Sequence, residues 1–382
     1  MTTRRINFGN LDALRGMLAV YVALGHCRWL LWSGHAAWLA APHPAWEAVP
    51  VYASAFLRYG REAVMVFFVL SGFFIHYRAA HRRQGYGEAD ANATKQFGAA
   101  PFYRRRLHRL APPYFFALAA TVVLDAIGRT WWPALYEART GDPLLDGAFA
   151  RTGYSSASII PAALLLPSSL GRDFGSNGPL WSLAFEAVYY AIYPAWLWIR
   201  RRSAVTAFVV IPVLCLSLSF SPIGGFPVVV MLYYPVWLIG AALAERITAD
   251  GVPARAVAIG AAAFVIGAGI YLVATPLLVA VAASVVFGAG LVLAFGGAQS
   301  RDRVLLPLFE QLGIRSYTIY IVHFPVLALL SAYAIETSGR RPAHGWLAVA
   351  GALACVGFGV ACFELCERHF LHSRYRDASA AP

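Results

Sequence analysis

Lysine is almost missing from this chain: Lys95 is the single one, so the basic side of its charge, 31 residues against 19 acidic, is otherwise arginine. Charge of either sign is scarce, at 13% of the 382 residues, while 59% are apolar and the mean hydropathy is positive. A soluble globular domain carries far more charge, so that class is excluded and a polytopic membrane protein is implied. The formal charge of +12 would suit nucleic acid if it formed one patch. It is dispersed over short segments between apolar runs, so nucleic acid is not an expected partner. Cysteine is limited to Cys27, Cys215, Cys355, Cys362 and Cys366, mostly inside those runs. Without paired metal-ligand spacing they read as small buried hydrophobes, and no metal is expected. The first apolar run has no small-residue cleavage site and is long enough to span, so it reads as a retained helix.

What the chain has in quantity is runs of spanning length. Segments able to cross about 30 Å of hydrocarbon lie at 11–32, 60–79, 110–128, 179–199, 203–221, 226–244, 255–273, 275–296, 316–336 and 345–366. This pattern predicts an all-α, polytopic membrane bundle of about ten transmembrane helices. With the N-terminus inside, 21 of the 31 basic residues fall in cytoplasmic segments and 9 outside, which places both termini in the cytoplasm. The long outer loop, 129–178, contains "SIIPAALLLPSSLGRDFGSNGP", broken by Pro161 and Pro167 and too short to span. It reads as a re-entrant or interfacial piece. Residues 261–298 are rich in small side chains, which predicts close helix packing. Residues 1–382 read as one integral-membrane domain with no fused soluble domain.

Ionisable groups interrupt these runs. "NLDALRGMLAVYVALGHCRWLLW" holds Asp12, Arg15 and His26, and a charge at membrane depth costs several kcal/mol, so it usually persists for a function or a partner. Arg15 and His26 share one helical face, about 16 Å apart along the axis, and Asp12 is spaced to pair with Arg15. A structural alternative has Arg15 paired with Asp12 and His26 reaching the outer interface. Other runs carry Ser71 in "VMVFFVLSGFF", Glu186 in "LWSLAFEAVYY" and His323 in "SYTIYIVHFPV". Ser71 alone reads as a serine bonding back to its own helix. Glu186 requires either a proton or a cationic partner, for which His26, Arg15 and His323 are available. Ser316, Tyr320 and His323 lie on one face, and a polar cavity among helices accounts for them all. Ahead of the third helix, "RRRLHRLAPPY" holds Arg104, Arg105, Arg106 and Arg109. These form either an anionic-lipid patch or guanidinium forks that hold a cosubstrate's phosphates, with Arg106 and Arg109 one turn apart.

In five ordered motifs, "LDALRG" with His26 beyond it, "VMVFFVLSGFFI", the R-x-x-R of Arg106 and Arg109, "LWSLAFEAVYY" and "SYTIYIVHFPV", the chain resembles the acyltransferase-3 family of bacterial membrane acyltransferases. The likeness runs over nearly the whole chain. Two departures are Ala13, where the family often has glycine, and His369, where a proline is usual after the glutamate matching Glu367. The resemblance implies an O-acyltransferase of the bacterial cytoplasmic membrane. It would move an acetyl or other short acyl group from cytoplasmic acyl-CoA to a hydroxyl of a carbohydrate, lipid-linked sugar or other acceptor at the membrane or outer face.

It also implies that His26 is catalytic and that the arginines, Arg15 among them, serve activity and donor handling. A neutral imidazole suits proton removal from a hydroxyl. Glu186 could orient it as a triad carboxylate does, and Ser71, Trp181, Tyr320 and His323 could serve at the donor side or as oxyanion donors. Arg104, Arg106 and Arg109 would hold the CoA phosphates, and an acyl-histidine intermediate is the variant route. The rival class is a transporter or proton-coupled carrier using Asp12, Arg15, His26, Glu186 and His323 as a relay, which leaves the basic cluster unexplained. A structural scaffold would account for the arginines but not the buried histidines.

Overall fold

A computed structural model describes residues 6–40, 42, 44–85, 98–222, 224–253, 255–273, 277–298 and 307–371. Arg4, Arg5, Lys95, Arg301, Arg303, Arg374 and Arg376, which enter the charge asymmetry, lie outside the described residues. The long helices described are α1 (Phe8–Leu31), α2 (Gly60–Gly85), α3 (Ala99–Trp131), α4 (Trp181–Arg202), α5 (Tyr234–Asp250), α6 (Ala256–Val273), α7 (Leu277–Gly297), α8 (Ser316–Ser338) and α9 (Trp346–Leu365). Among the described residues the strands are Thr152–Gly153 and Asp173–Phe174, paired in parallel, so the fold is helical.

Six helices among the described residues are long and apolar enough to cross a membrane: α2, α3, α5 with the preceding turns from Phe226, α7, α8 and α9. Their exposed sides are apolar, with Val349 and Leu353 outward on α9 and Val122 and Ile127 outward on α3. A helix of a water-soluble protein would present polar residues there, so these faces suit lipid. Helices α1 and α4 are of similar length but carry Asp12, Arg15, His26 and Arg28, and Glu186 and Arg200–Arg202, which lower their hydropathy.

Two predicted helices take a different form. Helix α3 begins at Ala99, ahead of the predicted start at 110, and continues through Pro112 and Pro113. The arginines and leucines before those prolines are good helix formers, and backbone groups freed by proline are tolerated where neighbours resatisfy them. The 203–221 run is helical in pieces, as a π-turn at Thr206–Val210, an α-helix at Ile211–Ser217 and a 3-10 turn at Leu218–Phe220. In the loop expected at 129–178, Ser156–Ala163 is a helix of 8 residues, short of a crossing.

The chain divides into two compact units: Met1–Arg15, Glu62–Arg105 and Phe185–Glu310 form one, and Gly16–Arg61, Arg106–Ala184 and Gln311–Pro382 the other. In the first, α2 approaches α5 at Gly72, where an added Cβ would lie 2.0 Å from the Trp237 carbonyl oxygen. Helices α6 and α7 meet in the same way at Gly260 and Gly290, as the run of small residues predicts. In the second, α8 and α9 pack with the later part of α1 around Cys27, Leu30, Leu31, Phe324, Leu327 and Cys355. The cysteines are free, four of them buried, and fill space as small hydrophobes.

Candidate active site

In the second unit, "SYTIYIVHFPV" builds the first turns of α8 and sets Ser316, Tyr320 and His323 on one buried stripe. His323 turns its Nδ1 back to the Tyr320 carbonyl oxygen at 2.6 Å. A carbonyl only accepts, so that nitrogen carries the hydrogen and Nε2 of the neutral ring holds a lone pair. His26 of α1 presents its Nδ1 to that Nε2 at 2.8 Å. With both rings neutral, His26 is therefore the donor, and its own Nε2 is left unprotonated. The two rings stack with centroids 5.1 Å apart, and Phe324 meets His26 edge-on. His323 is fully enclosed whereas His26 is partly exposed. Among the described residues Nε2 of His26 has no hydrogen-bond partner, so a basic lone pair is open to an incoming molecule.

The Tyr320 hydroxyl lies 2.8 Å from Ser182 Oγ and 3.1 Å from the Pro179 carbonyl oxygen, which accepts. Tyr320 and Ser182 thus share their hydrogens with each other and with Pro179, and neither hydroxyl is free to stabilise an oxyanion in this arrangement. Ser316 Oγ is buried with no partner among the described residues. Arg106 and Arg109 lie one turn apart on α3, within the helix and not ahead of it, both partly buried, with Arg109 Nε buried and without a hydrogen-bond partner among the described residues. Arg104, on the earlier part of the same helix, is exposed.

The first unit holds Arg15, Ser71 and Glu186, while Trp181 opens α4 in the second. Arg15 Nη1 donates to Asp12 Oδ1 at 3.2 Å, the expected spacing of three along α1, and its guanidinium lies over the Phe74 ring. Ser71 does not bond back to its helix: its Oγ donates to Glu186 Oε1 at 2.6 Å, and Trp237 Nε1 donates to Ser71. Tyr190 also donates to Glu186. Within this unit the carboxylate thus accepts from two hydroxyls, beside the proton or cationic partner expected of it.

One group escaped the sequence reading. His76 of α2, almost fully buried, sits between the Tyr193 hydroxyl at 3.0 Å and Glu245 Oε1 at 2.9 Å, and Arg200 donates to the other Glu245 oxygen at 2.5 Å. The signal was available, because His76 lies inside a predicted apolar run as His26 does. Glu245 falls just beyond the predicted end of its helix at 244. Among the described residues no three His, Cys, Asp or Glu side chains gather as a metal site requires.

The chain matches, over residues 8–363, the profile of a family described as an acyltransferase domain. It is 26% identical over 338 residues to the protein named acyltransferase MdmB of Streptomyces mycarofaciens, covering 79% of this chain and 77% of that one. No solved structure matches it.

Proposed function

The chain belongs to the acyltransferase-3 family, and on that premise we propose that it transfers an acetyl or other short acyl group from acyl-CoA to an acceptor hydroxyl, with His26 Nε2 as general base. The observation that carries this reading is the hydrogen-bonded series from His26 Nδ1 to His323 Nε2 and from His323 Nδ1 to the Tyr320 carbonyl. It orients His26 Nε2, the nitrogen of this pair that has no hydrogen-bond partner among the described residues. As the acceptor oxygen attacks the thioester carbon, Nε2 takes its proton, and the resulting imidazolium keeps its Nδ1–H on the neutral His323 ring. A charged donor makes that bond stronger, so it favours the state reached during transfer. The tetrahedral intermediate then collapses with loss of the CoA sulfur, and Nε2 returns the proton to the departing thiolate. General-base help of this kind contributes about 10² to 10⁴ in rate.

Arg104, Arg106 and Arg109 are assigned to the donor's phosphates, since guanidinium forks match them and the buried Nε of Arg109 has no acceptor among the described residues. Arg15, kept charged beside Asp12, lies about 16 Å from His26 along α1, a length comparable with an extended pantetheine arm. The acceptor is a carbohydrate, lipid-linked sugar or other hydroxyl compound at the outer face. Both termini and the arginine cluster lie on the cytoplasmic side of a bacterial inner membrane crossed by about ten helices, a topology that rests on the charge asymmetry. Purified protein supplied with short acyl-CoA and candidate acceptors should release CoA thiol only when both are present. Proton or solute movement without thiol release would favour a carrier instead.

A further inference from the structure

Proline at position 325 breaks the hydrogen-bond ladder of α8 where the histidine sits. Having no N–H, Pro325 leaves the carbonyl of Ile321, four residues earlier, without its helical donor, although α8 runs unbroken past it. That carbonyl lies between Tyr320, whose own carbonyl holds His323 Nδ1, and His323 itself. A buried carbonyl left unmet is costly, and the turn that carries it would be free to shift.

The vacant bond is filled from outside the helix. Asn177 is fully buried, and its Nδ2 donates to the Ile321 carbonyl oxygen at 2.9 Å and to Thr121 Oγ1 at 3.1 Å. Thr121 spends its own hydrogen on the Ala117 carbonyl, so its oxygen is free to accept. The preceding residue of the loop, Ser176, is fixed to the same helix, α3. Asp125, one turn beyond Thr121, accepts from Ser176 N at 2.7 Å, Ser176 Oγ at 2.6 Å and the Tyr154 hydroxyl at 2.8 Å. Burial first, and the Asp125 carboxylate second, push the Tyr154 hydroxyl far above its ordinary range, so it remains a donor. Gly175 turns the chain at φ +54, and a Cβ there would lie 2.4 Å from Asp125 Oδ2, so the loop fits only with glycine at that point. Two residues beyond Asn177, the Pro179 carbonyl meets the Tyr320 hydroxyl.

We propose that Asn177 is a positioning residue for acyl transfer: it replaces the backbone donor that Pro325 removes and so holds the Tyr320–His323 turn in the form that orients His26. The proposal rests on the acyl-transfer reading given above. Without Asn177 the turn relaxes, the bond from His323 Nδ1 to the Tyr320 carbonyl is no longer enforced, and His26 loses its fixed acceptor. Substrate binding through the arginines is untouched, so the loss falls on turnover.

The test is a cycle of four proteins: wild type, Asn177→Ala, Pro325→Ala and the double variant. Each is assayed for acceptor-dependent thiol release at varied donor concentration, and for thermal unfolding. Asn177→Ala is expected to lower kcat on the order of 10 to 100-fold, as misplacement of a reacting group does, with donor KM unchanged. In the Pro325→Ala background residue 325 regains an N–H that can serve Ile321, so the same change is expected to alter kcat by no more than about twofold. An equal loss in both backgrounds, or a loss confined to KM, overturns the proposal. If Asn177→Ala fails to fold, recovery of folded protein in the Pro325→Ala background supports it and failure in both overturns it. Asn177→Asp, which sets an acceptor against the Ile321 carbonyl, is expected to be impaired as Ala is, and wild-type kcat in that variant would also contradict the assignment. Wild-type protein that released no thiol would sink the acyl-transfer reading, while the unfolding cycle would still report whether Asn177 and Pro325 are coupled.

Discussion

A histidine pair in an apolar bundle has to settle where two hydrogens sit, and here one backbone carbonyl settles both. Because Tyr320 O can only accept, His323 must donate from Nδ1 and accept at Nε2, and His26 must donate from Nδ1. His323→Phe keeps the ring volume and removes the acceptor, so transfer should fall by about 10²-fold or more, as in other sites whose base loses its orienting partner. Near-normal initial rates would show that the tautomer does not matter. Arg109→Ala should act on binding, raising donor KM by roughly 10-fold or more for a charged hydrogen bond of about 1.5 to 3 kcal/mol. An unchanged donor KM would return the arginines to a lipid-anchoring role. The cost of an ionisable group at membrane depth made His26, Glu186 and His323 legible in sequence. Their pairing was not, because which helix faces which depends on rotations and crossings that no local pattern records. A carboxylate is the commonest partner of a catalytic histidine, and that habit pointed to Glu186; the contact between His26 and His323 had no such pattern to announce it.

At the scale of the element, composition located most helices but not their ends. The arginines of "RRRLHRLAPPY" were expected ahead of a helix starting at 110, since two prolines usually mark a beginning. In α3 they lie inside it, and the one-turn spacing of Arg106 and Arg109 becomes a property of regular helix. The contact between α2 and α5 is legible only in hindsight: Gly72 sits in an aromatic run, and the reason is the Trp237 carbonyl pressed against its Cα. Gly72→Val should therefore lower stability by about 1 to 3 kcal/mol or more, the usual effect of overpacking, seen as a reduced unfolding midpoint in detergent. A midpoint equal to wild type would mean the two helices can separate at no cost. The network of His76, Tyr193, Glu245 and Arg200 was overlooked because its members fall near helix ends, where charge is ordinarily read as solvated.

For the whole molecule, the six helices among the described residues that are fit to cross a membrane and a family match over residues 8–363 agree on an integral-membrane acyltransferase. The side proposed for each end rests on the arginine distribution and can be checked without reference to chemistry. In a cysteine-free background, a cysteine at Arg201 should be labelled only from the cytoplasmic side and one at Ser155, exposed in the outer loop, only from outside. Reversed labelling would put Arg104, Arg106 and Arg109 away from the CoA pool and undo the donor assignment. The central claim is that His26 Nε2 performs the proton transfer, and the most direct measurement is the rate of acceptor-dependent thiol release by reconstituted His26→Ala beside wild type. The account predicts a fall of about 10² to 10⁴-fold with the unfolding midpoint unchanged, and a variant that kept more than about a tenth of the wild-type rate would contradict it.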